Sequence, residues 1–304
     1  MKIVRQKVEG QFTTLYDPSN GHLLQYVSDD YVGEPTKFPS PNLTDLKITD
    51  ACDLGCKFCY QGSTSAGKGP RPDLVSRLPQ ALADLGVFEV AIGGGEPTQW
   101  DGLLDIMKAF RAAKVTPNFT TKNYKLILAG GLEPFARVAG AFAVSIQSPT
   151  TLRKLLPHLK PLQAFCKVHL QVVVGVVGTE ELRKIAQCYQ EADLDCLTLL
   201  GFKEVGFGAT YSNRKECDWI AAIEGVDGVA VDSALAAQNL ELMAQFPPTS
   251  WGHTEGGSNL YVDAVSGTCA PSSYYEGTEG LFDLPTTGDL SEQLRQIWPL
   301  IPVV

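Results

Sequence analysis

Three cysteines carry the clearest chemical signal in the sequence, because Cys52, Cys56 and Cys59 fall within eight residues. Thiolate sulfur is a soft metal ligand, and cysteines this close can face one metal centre from a single loop. A structural zinc site and an electron-transfer iron–sulfur cluster each use four protein ligands, and no nearby Cys or His supplies a fourth. The trio therefore suggests a cubane cluster with one iron left open for a ligand that is not protein. A redox-sensing loop and part of a zinc site are the alternatives.

A glycine-rich segment, GGGEPT at 93–98, is the second candidate site. Alone, it could be a turn that simply ends a strand. Three glycines, however, leave backbone N–H and C=O groups open to a ligand at close range, and Glu96 adds a carboxylate. Such a site suits a zwitterionic amino-acid group. We expect a valine at Gly95 to weaken ligand binding, because its side chain would stand where the backbone must approach the ligand.

The elements around both motifs alternate between strand and helix. Strands are predicted at 46–49, 87–92, 116–121, 141–147, 168–177 and 196–202. Helices are predicted between them at 72–85, 101–113, 131–139, 150–165 and 180–191. This alternation predicts a parallel sheet covered by helices, either open or closed as a full or partial barrel. The cysteines follow the first strand and the glycines the second, at the carboxyl edge where parallel α/β folds gather their chemistry.

Both ends of the chain are less regular. Residues 11–27 predict a hairpin whose turn contains Pro18 and Asn20-Gly21. The segment 61–70 is rich in Gly, Ser and Lys, and we expect it to order only when ligand binds. Beyond residue 205, the pattern predicts helices at 213–225, 234–246 and 290–297, a short strand at 229–232 and a hairpin at 261–269. We divide the chain into an N-terminal hairpin and linker (1–41), a core barrel (42–205) and a C-terminal extension packing on the core (206–304).

Composition narrows the class of protein. The chain has 304 residues, of which 19% are charged and 44% hydrophobic, as in an ordinary globular enzyme. A net charge of −9 argues against a nucleic-acid surface, including an RNA-modifying one. Eight unevenly placed cysteines in a chain of this size do not indicate the disulfide framework of a small secreted protein. With no signal-peptide pattern and no apolar run near the ~20 residues of a membrane helix, we expect a cytoplasmic protein with no membrane partner.

Together, the two motifs resemble the signature of the radical S-adenosylmethionine (radical SAM) superfamily. The chain has the spacing C-x3-C-x2-C with Phe58 before the last cysteine, and Gly-Gly-Glu-Pro verbatim at 94–97. The resemblance covers residues 42–205 and implies an α/β fold, a partial parallel (β/α)6 TIM-like barrel with an N-terminal hairpin and an irregular α+β C-terminal extension. It also implies that Cys52, Cys56 and Cys59 are the metal ligands of a 4Fe–4S cluster, whose fourth iron is chelated by S-adenosyl-L-methionine (SAM).

The resemblance also implies a SAM site, and the motifs that indicate its residues become less specific toward the later strands. The Gly-Gly-Glu-Pro turn would hold the amino group, and later strand ends would contact the carboxylate, ribose and adenine. The implied cofactor-binding residues are Phe58, Gly94, Gly95, Glu96, Pro97, Thr121, Ser145, Gln147, Val176 and Leu200. For those after the third strand, strand-end polarity or core packing explains the residue type equally well. No catalytic residue follows from the sequence.

The implied activity is that of a radical SAM enzyme. Such an enzyme cleaves SAM reductively at the cluster to a 5′-deoxyadenosyl radical, which abstracts hydrogen from a substrate, here a small molecule or short peptide. The implied partner is an electron donor such as flavodoxin or ferredoxin. A non-catalytic iron–sulfur electron carrier or sensor is the alternative, although the glycine turn would then have no purpose. The remaining cysteines have no C-x2-C spacing, so we expect no second cluster; they are Cys166, Cys188, Cys196, Cys217 and Cys269.

Overall fold

The computed structural model describes residues 5–32, 36–244 and 254–304, which form an α/β fold around one large sheet. The strands are β1 (Arg5–Glu9), β2 (Phe12–Asp17), β3 (His22–Val27), β4 (Leu43–Thr49), β5 (Glu89–Gly94), β6 (Thr116–Thr121), β7 (Ala141–Ser145), β8 (Lys167–Val173), β9 (Cys196–Leu200), β10 (Val229–Val231), β11 (Asn259–Asp263), β12 (Thr268–Ala270) and β13 (Phe282–Asp283). The helices are α1 (Pro72–Val75), α2 (Leu78–Asp84), α3 (Leu103–Ala112), α4 (Tyr124–Leu128), α5 (Glu133–Ala136), α6 (Pro149–Leu159), α7 (Thr179–Ala192), α8 (Trp219–Ala222), α9 (Ser233–Ala237), α10 (Leu240–Met243) and α11 (Leu290–Ile297).

The core is the predicted run of six parallel strands. Strands β4 to β9 are neighbours in chain order, and each pairs in parallel with the next. Side chains alternate along β4, since Leu46 and Ile48 are fully buried against the helical layer while Asp45 and Lys47 face a cavity inside the curved sheet. The sheet does not close, because its strand order is linear from β10 to β13. The partial parallel barrel predicted from the sequence is confirmed.

The C-terminal residues extend the core sheet at both edges. Strand β10 pairs in parallel with β9, and β11 pairs in parallel with β4. The predicted hairpin at 261–269 is β11 with β12, and β13 adds an antiparallel edge. The proposed division of the chain at residue 205 stays a prediction.

Several predicted helices are divided or shorter in the structure. The helix at 72–85 is divided into α1 and α2, because Pro79 fits only the first turn of a helix, where it now stands. The helix at 213–225 is reduced to α8. The chain before it instead runs along the end of β8, with the N–H of Lys215 donating to the carbonyl of Gly175 at 2.8 Å. The predicted helix at 234–246 becomes α9 and α10, and its last residues lie outside the described part of the chain.

The N-terminal hairpin is confirmed as β2 and β3, with a third strand, β1, paired to β2. This small sheet contacts the amino end of the core strands. The Lys7 ammonium donates to Ser40 Oγ at 2.7 Å, and the hydroxyl of the fully buried Tyr16 donates to Glu89 Oε1 at 2.8 Å. The two motifs lie at the opposite, carboxyl end of the barrel. In the ranges that the structure describes, no helix is long and apolar enough to cross a membrane.

Candidate active site

The three cysteines lie on the loop after β4, and all three line the cavity inside the barrel, whose volume is about 720 Å³. A tight turn brings them together, because the N–H of Cys59 donates to the carbonyl of Cys56 at 3.2 Å. Within the described residues, no three Cys, His, Asp or Glu side chains are placed to hold one metal ion. In a cubane cluster each cysteine binds a different iron, so the three thiols need not meet at a single metal position. Burial raises the pKa of the Cys52 thiol, so its thiolate needs a positive partner such as a metal.

The segment after the cysteines is anchored by backbone hydrogen bonds. The N–H of Cys52 donates to the carbonyl of Thr64 at 2.9 Å, and the N–H of Asp50 donates to the carbonyl of Lys68 at 2.8 Å. Gly67 lies so close that a Cβ there would stand 2.1 Å from the carbonyl oxygen of Asp50. The segment therefore has protein partners of its own, contrary to the expectation that its order depends on a ligand.

A second element that holds the cysteine loop was not predicted from the sequence. A short 3₁₀ helix after β9, Gly206–Thr210, packs on the loop, with the N–H of Phe207 donating to the carbonyl of Cys59 at 2.9 Å. Gly206 has a φ of +57°, and a Cβ there would meet the carbonyl oxygen of Tyr60 at 2.3 Å. Only glycine permits that approach. The signal available in the sequence was the glycine pair in Gly206-Phe207-Gly208.

The glycine turn is hydrogen-bonded directly to the base of the cysteine loop. The N–H of Gly95 donates to the carbonyl of Thr49 at 2.6 Å, and the N–H of Glu96 donates to the carbonyl of Ala51 at 3.0 Å. A Cβ on Gly95 would stand 2.1 Å from the carbonyl oxygen of Ala51, whereas a Cβ on Gly93 would meet nothing within 4 Å. A valine at Gly95 would therefore displace the cysteine loop itself, which corrects the reason given from the sequence. Gly93 is the glycine that borders open space in the cavity.

Glu96 accepts several hydrogen bonds at this end of the barrel, and only 2% of the residue is exposed. Its Oε1 accepts hydrogen bonds from the Thr98 N–H at 3.2 Å, the Thr98 hydroxyl at 2.7 Å and the Thr121 hydroxyl at 2.8 Å. Its Oε2 accepts one, from the backbone N–H of Lys122 at 2.9 Å. Because a carboxylate oxygen can accept two or more hydrogen bonds and Oε2 accepts one, Oε2 can take one further donor. The carboxylate is thus held in place with one acceptor site left over.

The structure brings most of the predicted SAM-site residues together. Those that line the same cavity as the cysteines are Phe58, Gly94, Gly95, Glu96, Thr121, Ser145, Gln147 and Leu200. Two predicted residues do not line it: Pro97 opens the 3₁₀ turn after Glu96, and Val176 is buried beyond the end of β8. The contacts that these residues make with a cofactor stay predictions.

A polar cluster around Lys203 lies deeper in the cavity, and its other members were not predicted from the sequence. Lys203 follows β9, and its ammonium lies 3.5 Å from Asp232 Oδ2. It also lies over the rings of Tyr60 and Tyr274, at 4.8 Å and 4.6 Å from their centres. The carboxylate of Glu255 accepts a hydrogen bond from the Tyr274 hydroxyl at 3.4 Å. This cluster, together with Asp45, gives the cavity a charged wall.

Replacing Asp45 by asparagine should stabilise the protein at neutral pH. Burial, with the charge of Glu255 adding to it, raises the pKa of the Asp45 carboxyl to about 6. The folded state therefore binds more protons than the unfolded state, whose aspartate pKa is about 3.9. Stability should fall as pH rises from about 4 to about 6, by about 3 kcal/mol for a shift of about 2 pKa units at 1.36 kcal/mol per unit.

The measurement is urea unfolding of wild type and Asp45→Asn at several pH values. We expect the two curves of stability against pH to diverge between about pH 4 and pH 6 and then run parallel, with the variant more stable. A variant that is less stable than wild type at pH 8 would contradict the assigned environment of Asp45.

Comparison with known proteins places these residues in context. The sequence matches the family model of the Radical SAM superfamily over residues 46–203, more than half of the chain. It is 25% identical over 192 residues to a probable GTP 3′,8-cyclase of Metallosphaera sedula, covering 56% of this chain and 59% of the relative. It is 35% identical over 88 residues to the GTP 3′,8-cyclase of Pectobacterium atrosepticum, covering 27% of each. The chain thus spans less than two thirds of the length of these relatives.

In fold, the chain is similar to SuiB of Streptococcus suis. The structure of SuiB bound to S-adenosylmethionine matches with a TM-score of 0.70 over 98% of this chain and 87% of that chain, at 14% identity. The structure of SuiB bound to its precursor peptide SuiA matches with the same TM-score and coverage at 15% identity. At these identities the likeness concerns the fold alone, and it agrees with the partial barrel described above.

Proposed function

The chain belongs to the radical SAM superfamily, and from that premise we propose that its cysteine loop and glycine turn hold the cofactors of a hydrogen-abstracting enzyme. The cofactors of this family are a 4Fe–4S cluster and S-adenosylmethionine. When bound, they supply one-electron chemistry that ends in abstraction of a hydrogen atom from a substrate. Family membership sets aside the alternative of a non-catalytic electron carrier or sensor.

The observation that carries the proposal is the direct backbone pairing of the two motifs at one cavity. Cys52, Cys56 and Cys59 would bind three irons. The glycine turn, which two backbone hydrogen bonds join to the cysteine loop, would bind an ammonium group through Glu96. The carboxylate is positioned before any ligand arrives, because four protein donors already fix it. Gly93 leaves the open space beside it that a cofactor needs.

The chain's own residues orient the ligands and exclude water. The N-terminal sheet covers the amino end of the barrel through Tyr16 and Lys7. The 3₁₀ helix at 206–210 holds the cysteine loop from the other side. Such enclosure matters because a reactive species must meet the substrate before solvent or side chains.

For the substrate, we propose a short peptide or small molecule that is neutral or positively charged. Asp45, Asp232 and Glu255 line the cavity, and no arginine is found among its described lining residues. Lys47 is already bound to Asp50 and Asp263, as Lys203 is to Asp232. GTP, with its several negative charges, would meet carboxylates there, so we do not extend the activity of the named relatives to this chain.

A peptide agrees with the fold, since SuiB is bound to a precursor peptide in one of its structures. For the reductant, we propose an electron donor such as flavodoxin or ferredoxin.

The decisive assay is SAM cleavage in the absence of substrate. Anaerobically reconstituted protein, reduced with dithionite and given SAM, should slowly release 5′-deoxyadenosine, measured by chromatography. Cys56→Ala should release none, whereas Cys217→Ala, which lies outside this cavity, should match wild type. Equal release by wild type and Cys56→Ala, or no release by wild type that holds an intact cluster, would refute the proposal.

A further inference from the structure

Lys122 lies at the candidate active site and contacts both motifs, and its side chain has no role in the function proposed above. It follows β6 directly, and its backbone N–H donates to Glu96 Oε2 at 2.9 Å. Its ammonium donates to Cys56 Sγ at 3.2 Å and lies 5.4 Å from the centre of the Phe58 ring. One lysine thus joins the carboxylate of the glycine turn to a sulfur atom of the cysteine loop.

We propose that Lys122 is a positioning residue for the iron–sulfur site, whose ammonium holds the Cys56 thiolate by an N–H···S hydrogen bond and offsets negative charge at the centre. The inference rests on the proposed function, because it takes Cys56 as an iron ligand. Hydrogen bonds to sulfur and net charge are two of the factors that set the reduction potential of a cluster. Lys122 contributes to both.

The other lysines of the cavity show why Lys122 stands apart. Lys47 lies 3.1 Å from Asp263, and Lys203 lies 3.5 Å from Asp232, so carboxylates neutralise both. Among the residues that the structure describes, the ammonium of Lys122 has no carboxylate partner within ion-pair distance, and Cys56 is its hydrogen-bond acceptor. Its positive charge is therefore directed at the cysteine loop.

The direction of the effect follows from Coulomb's law. One-electron reduction adds a negative charge to the centre, so a nearby positive charge stabilises the reduced form more than the oxidised form. Without the ammonium, reduction becomes harder and the midpoint potential falls. A tenfold loss in the reduction equilibrium corresponds to about 59 mV for a one-electron couple.

The test compares Lys122→Met, which keeps the length of the side chain but removes its charge, with Lys122→Arg, which keeps the charge. Lys125→Met is the matched control, because Lys125 is exposed on α4. Each reconstituted protein is titrated with a reductant of known potential, and the reduced cluster is followed by electron paramagnetic resonance. We expect Lys122→Met to be reduced about tenfold less readily, about 59 mV lower, with Lys122→Arg and Lys125→Met close to wild type.

Iron content, measured on the same samples, completes the test. Iron lost from Lys122→Met but kept by Lys122→Arg supports the role of the ammonium in holding Cys56. A wild-type midpoint in an iron-loaded Lys122→Met overturns the inference, as does iron lost equally from both variants. If wild type itself binds no iron, the proposed function fails instead, so the two failures are distinguishable.

Discussion

Replacing Cys52, Cys56 and Cys59 together by alanine should remove essentially all iron from the protein, about four irons per chain on cubane stoichiometry. The loss should be complete because these three cysteines share one cavity. Among the described residues, none of the other five cysteines lines that cavity.

The matched control is the triple variant Cys166→Ala, Cys196→Ala and Cys217→Ala, which removes as many thiols. None of these three lines the cavity of the cysteine loop. Iron analysis and the iron–sulfur absorption band of the two variants decide the matter. The control should keep about four irons per chain, whereas iron near four in the Cys52, Cys56 and Cys59 variant would reveal a cluster elsewhere.

The parts of the fold that could be predicted from sequence are those encoded locally. The predicted bounds of β6 match the structure, and those of α7 and β9 agree within two residues. Hydrophobic periodicity and helix-capping residues give these bounds, because both depend on residues close together in sequence. The alternation of strand and helix then fixed the parallel sheet, since each parallel neighbour needs a crossover. The two motifs followed, because each comes directly after its strand.

Features that depend on contacts between distant residues could not be predicted. The hydrogen bond from the N–H of Phe207 to the carbonyl of Cys59 joins residues almost 150 positions apart, and no sequence periodicity predicts it. The same applies to the parallel pairing of β11 with β4 and to the contact of Tyr274 with Lys203. One part of the cavity wall does have a signal in the sequence, because polar Asp45 and Lys47 alternate with apolar neighbours along β4.

For two predicted site residues, the structure shows contacts that the sequence analysis did not give as the reason. Gly95 was predicted to leave room for a ligand. In the structure it leaves room for the cysteine loop, because a Cβ at this position would stand 2.1 Å from the carbonyl oxygen of Ala51. Thr121 was predicted as a cofactor contact, and its hydroxyl donates to Glu96 Oε1. Both residues therefore build the site by fixing its backbone and its carboxylate.

Glu96→Gln should weaken SAM binding about tenfold to a hundredfold while the cluster stays in place. In the proposed function, the free acceptor site of Oε2 accepts a hydrogen bond from the SAM ammonium, and a hydrogen bond to a charged group is worth about 1.5–3 kcal/mol. An amide at this position either loses that acceptor or turns its NH₂ toward the Thr98 N–H on the other side. The affinity is measured by equilibrium dialysis of SAM against iron-reconstituted protein.

Thr98→Val is the control that separates the ligand contact from the support of the carboxylate. It removes one of the three donors to Oε1 but leaves the charge and the acceptor site of Oε2 intact. Because the Thr98 N–H, the Thr121 hydroxyl and the Lys122 N–H still fix Glu96, SAM affinity should change less than threefold, which is less than about 0.7 kcal/mol. If Glu96→Gln keeps its iron and binds SAM as tightly as wild type, Glu96 only joins β5 to β6, and the SAM ammonium must be bound elsewhere in the cavity.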